Sequence, residues 1–333
     1  MKHKLPIISL MAAALVVTYV ARRLKSDARS ANRHPPVTNR ATSPASGPAL
    51  EDGNALVARA AEAVAQIENV SGQVRQRTQL FGRQLASVGK YRQWFDGRSL
   101  RFRFDLRTQV GRETAHFMQL GDGRFVWTRR ELPSGKKLQR VDRKLLEREL
   151  AVIRRSDRQP TYPLDVLALS NGLADVLDRL RWQFDFQPPE NSTIGREKLP
   201  VYVVRGGWNR AALRRHFPQI ADNVLAGKLR GFPETLPTHV ELVLGRGGVL
   251  PLFPYRISLL RKEHSGTVRL MDLEFFALSH EEPIRPDDFR YDPGGQPIED
   301  ATEEVLKRLS HNALPQATRP TPERGAAGFV TGL

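Results

Sequence analysis

Between Leu100 and Arg107 the chain alternates without a break: Leu100, Phe102, Phe104 and Leu106 take every second position, with Arg101, Arg103, Asp105 and Arg107 between them. Successive side chains of a β-strand leave on opposite faces, so this run builds one dry face and one wet face. The same period returns at Trp182, Phe184 and Phe186, at Val240, Leu242 and Leu244, at Tyr255, Ile257 and Leu259, and at Met271, Leu273, Phe275 and Ala277. Strands of this kind belong to antiparallel sheets with one covered and one solvated side. Gly82, Gly89, Asp96-Gly97, Asp122-Gly123, Ser134-Gly135, Gly245 to Gly248 and Ser265-Gly266 punctuate the runs as hairpin turns would, which predicts about eleven strands.

Helical spacing interrupts this rhythm in a few places. Asn54 is placed to cap a helix whose Leu56, Val57, Ala60, Ala61, Val64 and Ile67 form one apolar stripe. Further helices are predicted over 143–153, 163–180 and 209–217. The expected fold class is therefore mainly β (α+β), an antiparallel sheet with helices over its apolar face.

The chain of 333 residues is 40% hydrophobic and 26% charged, a globular make-up, and it has no cysteine. That excludes disulfides, thiolate metal sites, a cysteine nucleophile and a lipid-modified N-terminal cysteine. The net charge is +16. Part of it sits in Lys2 and Lys4 and in Arg22, Arg23, Lys25, Arg29, Arg33 and Arg40, set against Asp27 alone, and the remainder leaves the body of the chain moderately basic. Phospholipid headgroups, lipoprotein linkers and nucleic acid would all suit such a charge.

Lys2 and Lys4 precede an uncharged run from Leu5 to Ala21, which Arg22 and Arg23 close. This is the layout of a signal peptide or signal anchor over residues 1–21 and predicts export. As a helix at ~1.5 Å per residue the run reaches roughly 26 Å, just short of a ~30 Å hydrocarbon core. Bulky Tyr19 stands where cleavage after Ala21 would want a small residue, so an uncleaved anchor in the inner membrane is the preferred reading. Residues 22–53, with Pro35, Pro36, Pro44 and Pro48 among small polar residues, read as a basic flexible tether, and 312–333 as a disordered tail.

The search for chemistry returns little. The eight histidines form no pair at metal-ligand spacing, and no HExxH, GxSxG, GxxxxGK[ST] or GxGxxG occurs. Asp287-Asp288, Glu281-Glu282 and Glu303-Glu304 are adjacent carboxylates, whose side chains point apart in strands and loops and read as solvated charge. No cofactor, metal or catalytic residue is indicated, and the chain reads as a non-enzyme. Arg101-Phe102-Arg103-Phe104 interleaves basic and aromatic residues, but on a strand the two kinds occupy opposite faces, which argues against a base-stacking platform.

An ordered series of short motifs gives the first family likeness. A helix is followed by Val70-Ser71-Gly72-Gln73-Val74-Arg75-Gln76, Gly89-Lys90-Tyr91, Leu100-Arg101-Phe102, Gly121-Asp122-Gly123-Arg124-Phe125-Val126-Trp127 and Arg140-Val141-Asp142. This order resembles the opening half of the LolA-type outer-membrane lipoprotein carriers and the lipoprotein-sorting proteins related to them. Pro286 to Gly295, followed by Ile298, is similar to the last strand of that family. The likeness covers roughly 54–142 and 236–300; residues 143–235 are longer than the family's middle and stand as a helical insertion within a domain of 54–311.

The resemblance implies a periplasmic curved antiparallel half-barrel (open barrel) whose concave apolar face, closed by helices, shields acyl chains of a lipid or lipoprotein. A guest of ten methylenes leaving water would gain on the order of 8 kcal/mol at about 0.8 kcal/mol each. The expected cavity wall is Phe102, Phe104, Leu106, Phe125, Trp127, Trp182, Phe184, Phe186, Leu242, Ile257, Leu259, Leu273 and Phe275. A packed core explains the same apolar stripe without a ligand. A second functional reading is a membrane-anchored envelope sensor or interaction module of the same fold that binds a protein partner.

Overall fold

The computed structural model describes residues 52–80, 83–155, 172–263 and 266–311. The predicted signal segment, the predicted tether up to residue 51, the first part of the predicted 163–180 helix and the predicted tail lie outside them, and the end of the tether, Asp52 and Gly53, already caps and opens the first helix. Six strands run in succession as a meander: β1 (Asn69–Leu80), β2 (Arg83–Phe95), β3 (Leu100–Val110), β4 (Glu113–Gly121), β5 (Phe125–Leu132) and β6 (Gly135–Asp142). The second half adds β7 (Phe184–Phe186), β8 (Glu190–Ile194), β9 (Leu199–Trp208), β10 (His239–Gly245), β11 (Pro254–Glu263), β12 (Gly266–Ser279) and β13 (Ile298–Asp300).

All thirteen strands form one sheet in the order β13-β6-β5-β4-β3-β2-β1-β12-β11-β10-β9-β7, with β8 paired to β9 beside β7. β1 and β12 join the two halves antiparallel, from Ser71 opposite Ser279 to Thr78 opposite Met271. Only β13 on β6 is parallel. The sheet is curved and does not close on itself, so the fold is mainly β and antiparallel with helices, as the alternation led us to expect, and takes the open half-barrel form that the resemblance implied. Among the described residues the strands number thirteen rather than about eleven; β8 and β13 are short and show no apolar alternation.

Turn chemistry sets the registers. Val110 pairs with Glu113 across two residues, and Gly111 supplies the left-handed φ of +62° that an L side chain seldom adopts. Gly89, expected at a turn, instead sits inside β2 opposite Leu106, where a Cβ would stand 1.7 Å from the Asp105 carbonyl oxygen. Its glycine is required by close backbone approach, not by a bend.

The helices are α1 (Gly53–Ala65), α2 (Arg143–Arg155), α3 (Leu173–Gln183), α4 (Arg210–His216), α5 (Ala221–Leu225) and α6 (Thr302–His311), with a 3-10 turn at Pro286–Phe289. Asp52, not Asn54, caps α1 by accepting the Asn54 amide at 3.1 Å. The Asn54 side chain instead accepts the Phe186 amide at 3.0 Å and pins the helix start to β7. Asn209 caps α4 as its position suggested, its Oδ1 accepting from the Ala212 amide at 3.0 Å. The stretch likened to the family's last strand is the 3-10 turn, and the strand follows only at Ile298.

Candidate functional site

One face of the sheet is apolar across nearly its whole width. Val70 and Val74 of β1, Tyr91 of β2, Phe102, Phe104 and Leu106 of β3, Phe117 of β4 and Val126 of β5 share a single buried cluster with Leu242, Ile257, Leu273 and Phe275 from the other half. Cross-strand pairing explains this: Tyr91 faces Phe104, Leu106 faces Phe117, and Ile257 faces Leu273, so each apolar parity continues into the next strand. Rings meet edge-on along the cluster, with Tyr91 centred 5.6 Å from Phe275 and 6.4 Å from Phe104, and Phe253 5.6 Å from Phe275. We call this the inner face.

Its cover is helical. Leu56, Val57, Ala60 and Val64 of α1, and Leu173, Leu177 and Leu180 of α3, are buried in the same cluster. Polar ties between cover and sheet centre on Gln93, beside the Asn54 tie to β7. The Tyr91 hydroxyl donates to Gln93 Oε1 at 2.6 Å, and Gln93 Nε2 donates to the Val64 carbonyl at 2.7 Å. Burial pushes the Tyr91 hydroxyl pKa up, against a hydrogen bond from the Leu173 amide that lowers it. The hydroxyl is thus a neutral, buried donor at any working pH.

Toward one end the inner face turns polar while staying buried. Gln76 donates to Thr78 at 3.1 Å, and the hydroxyls of Ser87 and Thr108 lie 2.6 Å apart. Gln76 faces Leu273 and Ser87, and Ser87 faces Thr108, so these groups continue the aromatic surface on the same side.

Ten of the thirteen residues expected to form a cavity wall converge here: Phe102, Phe104, Leu106, Phe184, Phe186, Leu242, Ile257, Leu259, Leu273 and Phe275. Three do not. Phe125 and Trp127 lie on the opposite, outer face with Met118, Leu120, Leu138 and Tyr291. The inward residue of β5 is Val126, opposite Gly121 and Val141. The Asp122-Gly123 turn fixes this parity: the Asp122 carboxylate accepts the Arg124 and Phe125 amides at 2.7 and 2.6 Å and the Trp127 indole N–H at 2.7 Å. Trp182 belongs to the last turn of α3, not to a strand, and packs in a separate cluster with Val141, Leu146 and Leu150. Tyr91, Phe117, Val126 and Phe253 were missed; the first two stand at the inward parity of β2 and β4, a signal available once the registers are known.

Away from that Trp127 cluster the outer face is wet and rich in charge. Asp105 holds Arg103 at 2.7 Å, and the His116 ring sits between Asp105 and Glu131 at 3.4 Å from each. Burial would raise the Asp105 carboxyl, but hydrogen bonds from His116 and Arg103 and their charges outweigh it and hold the group below the usual carboxylate range. Arg92 reaches Glu282 at 3.0 Å, and Glu282 also accepts from the Ser71 hydroxyl, which ties the segment after β12 to β1 and β2. A shallow depression of about 310 Å³ opens between Lys90, Arg92, Arg103 and Asp105. Among the described residues no helix is long and apolar enough to cross a membrane.

No family model matches the chain, and no curated protein matches it. Solved structures do. The Pseudomonas aeruginosa MucA/MucB complex aligns over 72% of this chain and 61% of that one, at 12% identity and a TM-score of 0.37. A putative outer membrane lipoprotein-sorting protein domain from Vibrio parahaemolyticus aligns over 76% of this chain and 97% of its own, at 9% identity and 0.30. A LolA superfamily protein from Nitrosomonas europaea aligns over 73% and 99%, at 12% identity and 0.30. The chain spans about three fifths of the MucA/MucB chain it matches.

Proposed function

We propose that this is an exported, non-enzymatic binding protein that shelters acyl chains of lipid or lipoprotein between the inner face of the sheet and its helical cover, with the periplasm as its place of work. The observation that carries the reading is the kind of attachment between cover and sheet. α1 and α3 lie on an aromatic and aliphatic surface of an unclosed sheet and meet it mainly through apolar side chains, with hydrogen bonds at Gln93 and Tyr91 and, at the start of α1, between Asn54 and the Phe186 amide. Apolar contact has no direction, so a hydrocarbon chain can take the place of helix side chains on the same surface at comparable free energy per area buried. Phe104, Ile257, Leu273 and Phe275 would then serve as wall in the loaded state and as core in the empty one. Phe102, Leu106, Phe184, Phe186, Leu242 and Leu259 complete that wall, whereas Phe125, Trp127 and Trp182 lie off it.

The full chain, delipidated and offered a fatty acid bearing a photoreactive diazirine, should crosslink within peptides containing 100–106, 255–259 and 271–275, as mapped by mass spectrometry. Crosslinks confined to the Leu5–Ala21 run, or none, would reject the reading. Capture of a protein with no acyl-chain uptake would instead favour the interaction module.

A further inference from the structure

We propose that the outer face of β1–β3 docks on an anionic lipid bilayer, with Arg75, Lys90 and Arg107 ringing an exposed apolar point at Val88. Register puts these residues together. Val88 faces Arg75 on β1 and Arg107 on β3, and Lys90 follows two residues on along the same face of β2. Val88 is 58% exposed, an isolated branched apolar side chain standing in water at the centre of three cations. Phe276, 40% exposed, extends the patch across β12, and the Arg75 guanidinium lies 5.0 Å over its ring.

Charge complementarity selects the occupant. Lys90 and Arg107 are exposed and have no carboxylate at ion-pair distance among the described residues. The acids around the patch are taken by other arginines or shared with Arg75: Arg75 and Arg77 share Glu274 at 3.6 and 3.9 Å, Arg103 holds Asp105 at 2.7 Å, and Arg92 holds Glu282 at 3.0 Å. The depression beside Lys90 offers a seat of headgroup size lined by three cations. Two cations without an ion pair, Lys90 and Arg107, and the loosely paired Arg75 around a protruding apolar residue match the bilayer interface, where phosphates lie above hydrocarbon: the cations meet phosphate and Val88 reaches the acyl boundary. A face for a protein partner would want a larger continuous apolar area than one valine and one phenylalanine edge supply. This docking surface is on the side of the sheet opposite the helical cover and stands independently of acyl binding there.

The absence of cysteine from the chain makes a single-cysteine label unique. The full chain with Val88→Cys carrying an environment-sensitive fluorophore is mixed with vesicles of phosphatidylcholine alone or with added phosphatidylglycerol. The readout is local, so it is blind to any attachment through the N-terminal apolar run. A blue shift on anionic vesicles only, reversed by high salt, is expected. Adding Lys90→Glu and Arg107→Glu to the labelled chain should weaken that response by about tenfold or more, since each surface cation contributes on the order of 1 kcal/mol at an anionic membrane. The same probe at Val249, 64% exposed in the turn after β10, should stay in water. An equal response on neutral and anionic vesicles, an equal response at 249, or a shift that survives charge reversal would overturn the proposal.

Discussion

Gln93 Nε2 donates to the Val64 carbonyl at 2.7 Å and lies 3.3 Å from that of Ile67, so a strand side chain with no exposure closes the C-terminal end of α1. The last carbonyls of a helix lack partners within it, and burial denies them water. Gln93 supplies the donor, and the Tyr91 hydroxyl satisfies Gln93 in turn.

Gln93→Leu therefore removes the acceptor of the buried Tyr91 hydroxyl proton and leaves the Val64 carbonyl only its longer bonds from the chain just after α1, such as the Ile67 amide at 3.4 Å. Urea unfolding should register a loss of about 1–3 kcal/mol, the usual cost of leaving buried polar groups unpaired. Tyr91→Phe on the Gln93→Leu background should cost less than it does alone, because the hydroxyl it removes is already without its acceptor; strictly additive losses would contradict the coupling.

Gly121 is set by a ring. A Cβ there would stand 2.5 Å from Cε1 of Phe102, which is itself buried against the start of α3, where Gly172 approaches the same ring. Gly121→Val should cost about 1–3 kcal/mol through displacement of Phe102, the range for overpacking a filled core. If Phe102→Ala added to Gly121→Val fails to recover any of that loss, ring displacement is not the cause.

Much of this architecture was legible because burial and period coincide. The Leu100–Leu106 alternation became β3 with alternate residues buried, and the 143–153 helix appeared as α2 with Leu146 and Leu150 turned inward. The candidate wall was legible only where one parity is apolar. At Phe125-Val126-Trp127 both parities are, so local sequence does not say which faces inward; the Asp122 turn and the Gly121–Val126 pairing decide it. At Trp182 a three-step alternation competed with the helical spacing of Leu173, Leu177 and Leu180, and packing of α3 against α1 carried the helix through Gln183. The arginine–ring proximity excluded by parity along β3 is restored across strands, with Arg101 over Trp94 at 4.9 Å and Arg140 over Phe125 at 4.9 Å. Cross-strand neighbours were not available to a reading of single strands.

Asp272 is 2% exposed on β12, and its oxygens accept from the Ser258 hydroxyl at 2.5 Å and from Arg269 Nη1 at 2.8 Å. Ser258, wholly buried, has no alternative role there. Ser258→Ala removes one of two donors from a buried carboxylate and should destabilise the fold by about 1.5–3 kcal/mol, the range for hydrogen bonds to charged groups. Paired with Asp272→Asn, the loss from Ser258→Ala should shrink, as read by denaturant midpoints.

His216 closes α4 against Trp208 and Phe217, ring centroids 6.2 and 6.1 Å away. Burial disfavours its charged form, Arg215 adds like-charge repulsion, and the pKa falls from 6.5 to about 4. Between those values the unfolded chain binds the proton and the folded chain does not, so stability should be full above about pH 6.5 and decline as the pH falls toward about 4. The shift corresponds to about 3–4 kcal/mol at most, at 1.36 kcal/mol per pKa unit. Urea unfolding across that window should show this slope superimposed on the carboxylate contributions, and His216→Gln should flatten it. An unchanged slope in the variant would mean that His216 titrates alike in both states, which its packing against two aromatic rings argues against.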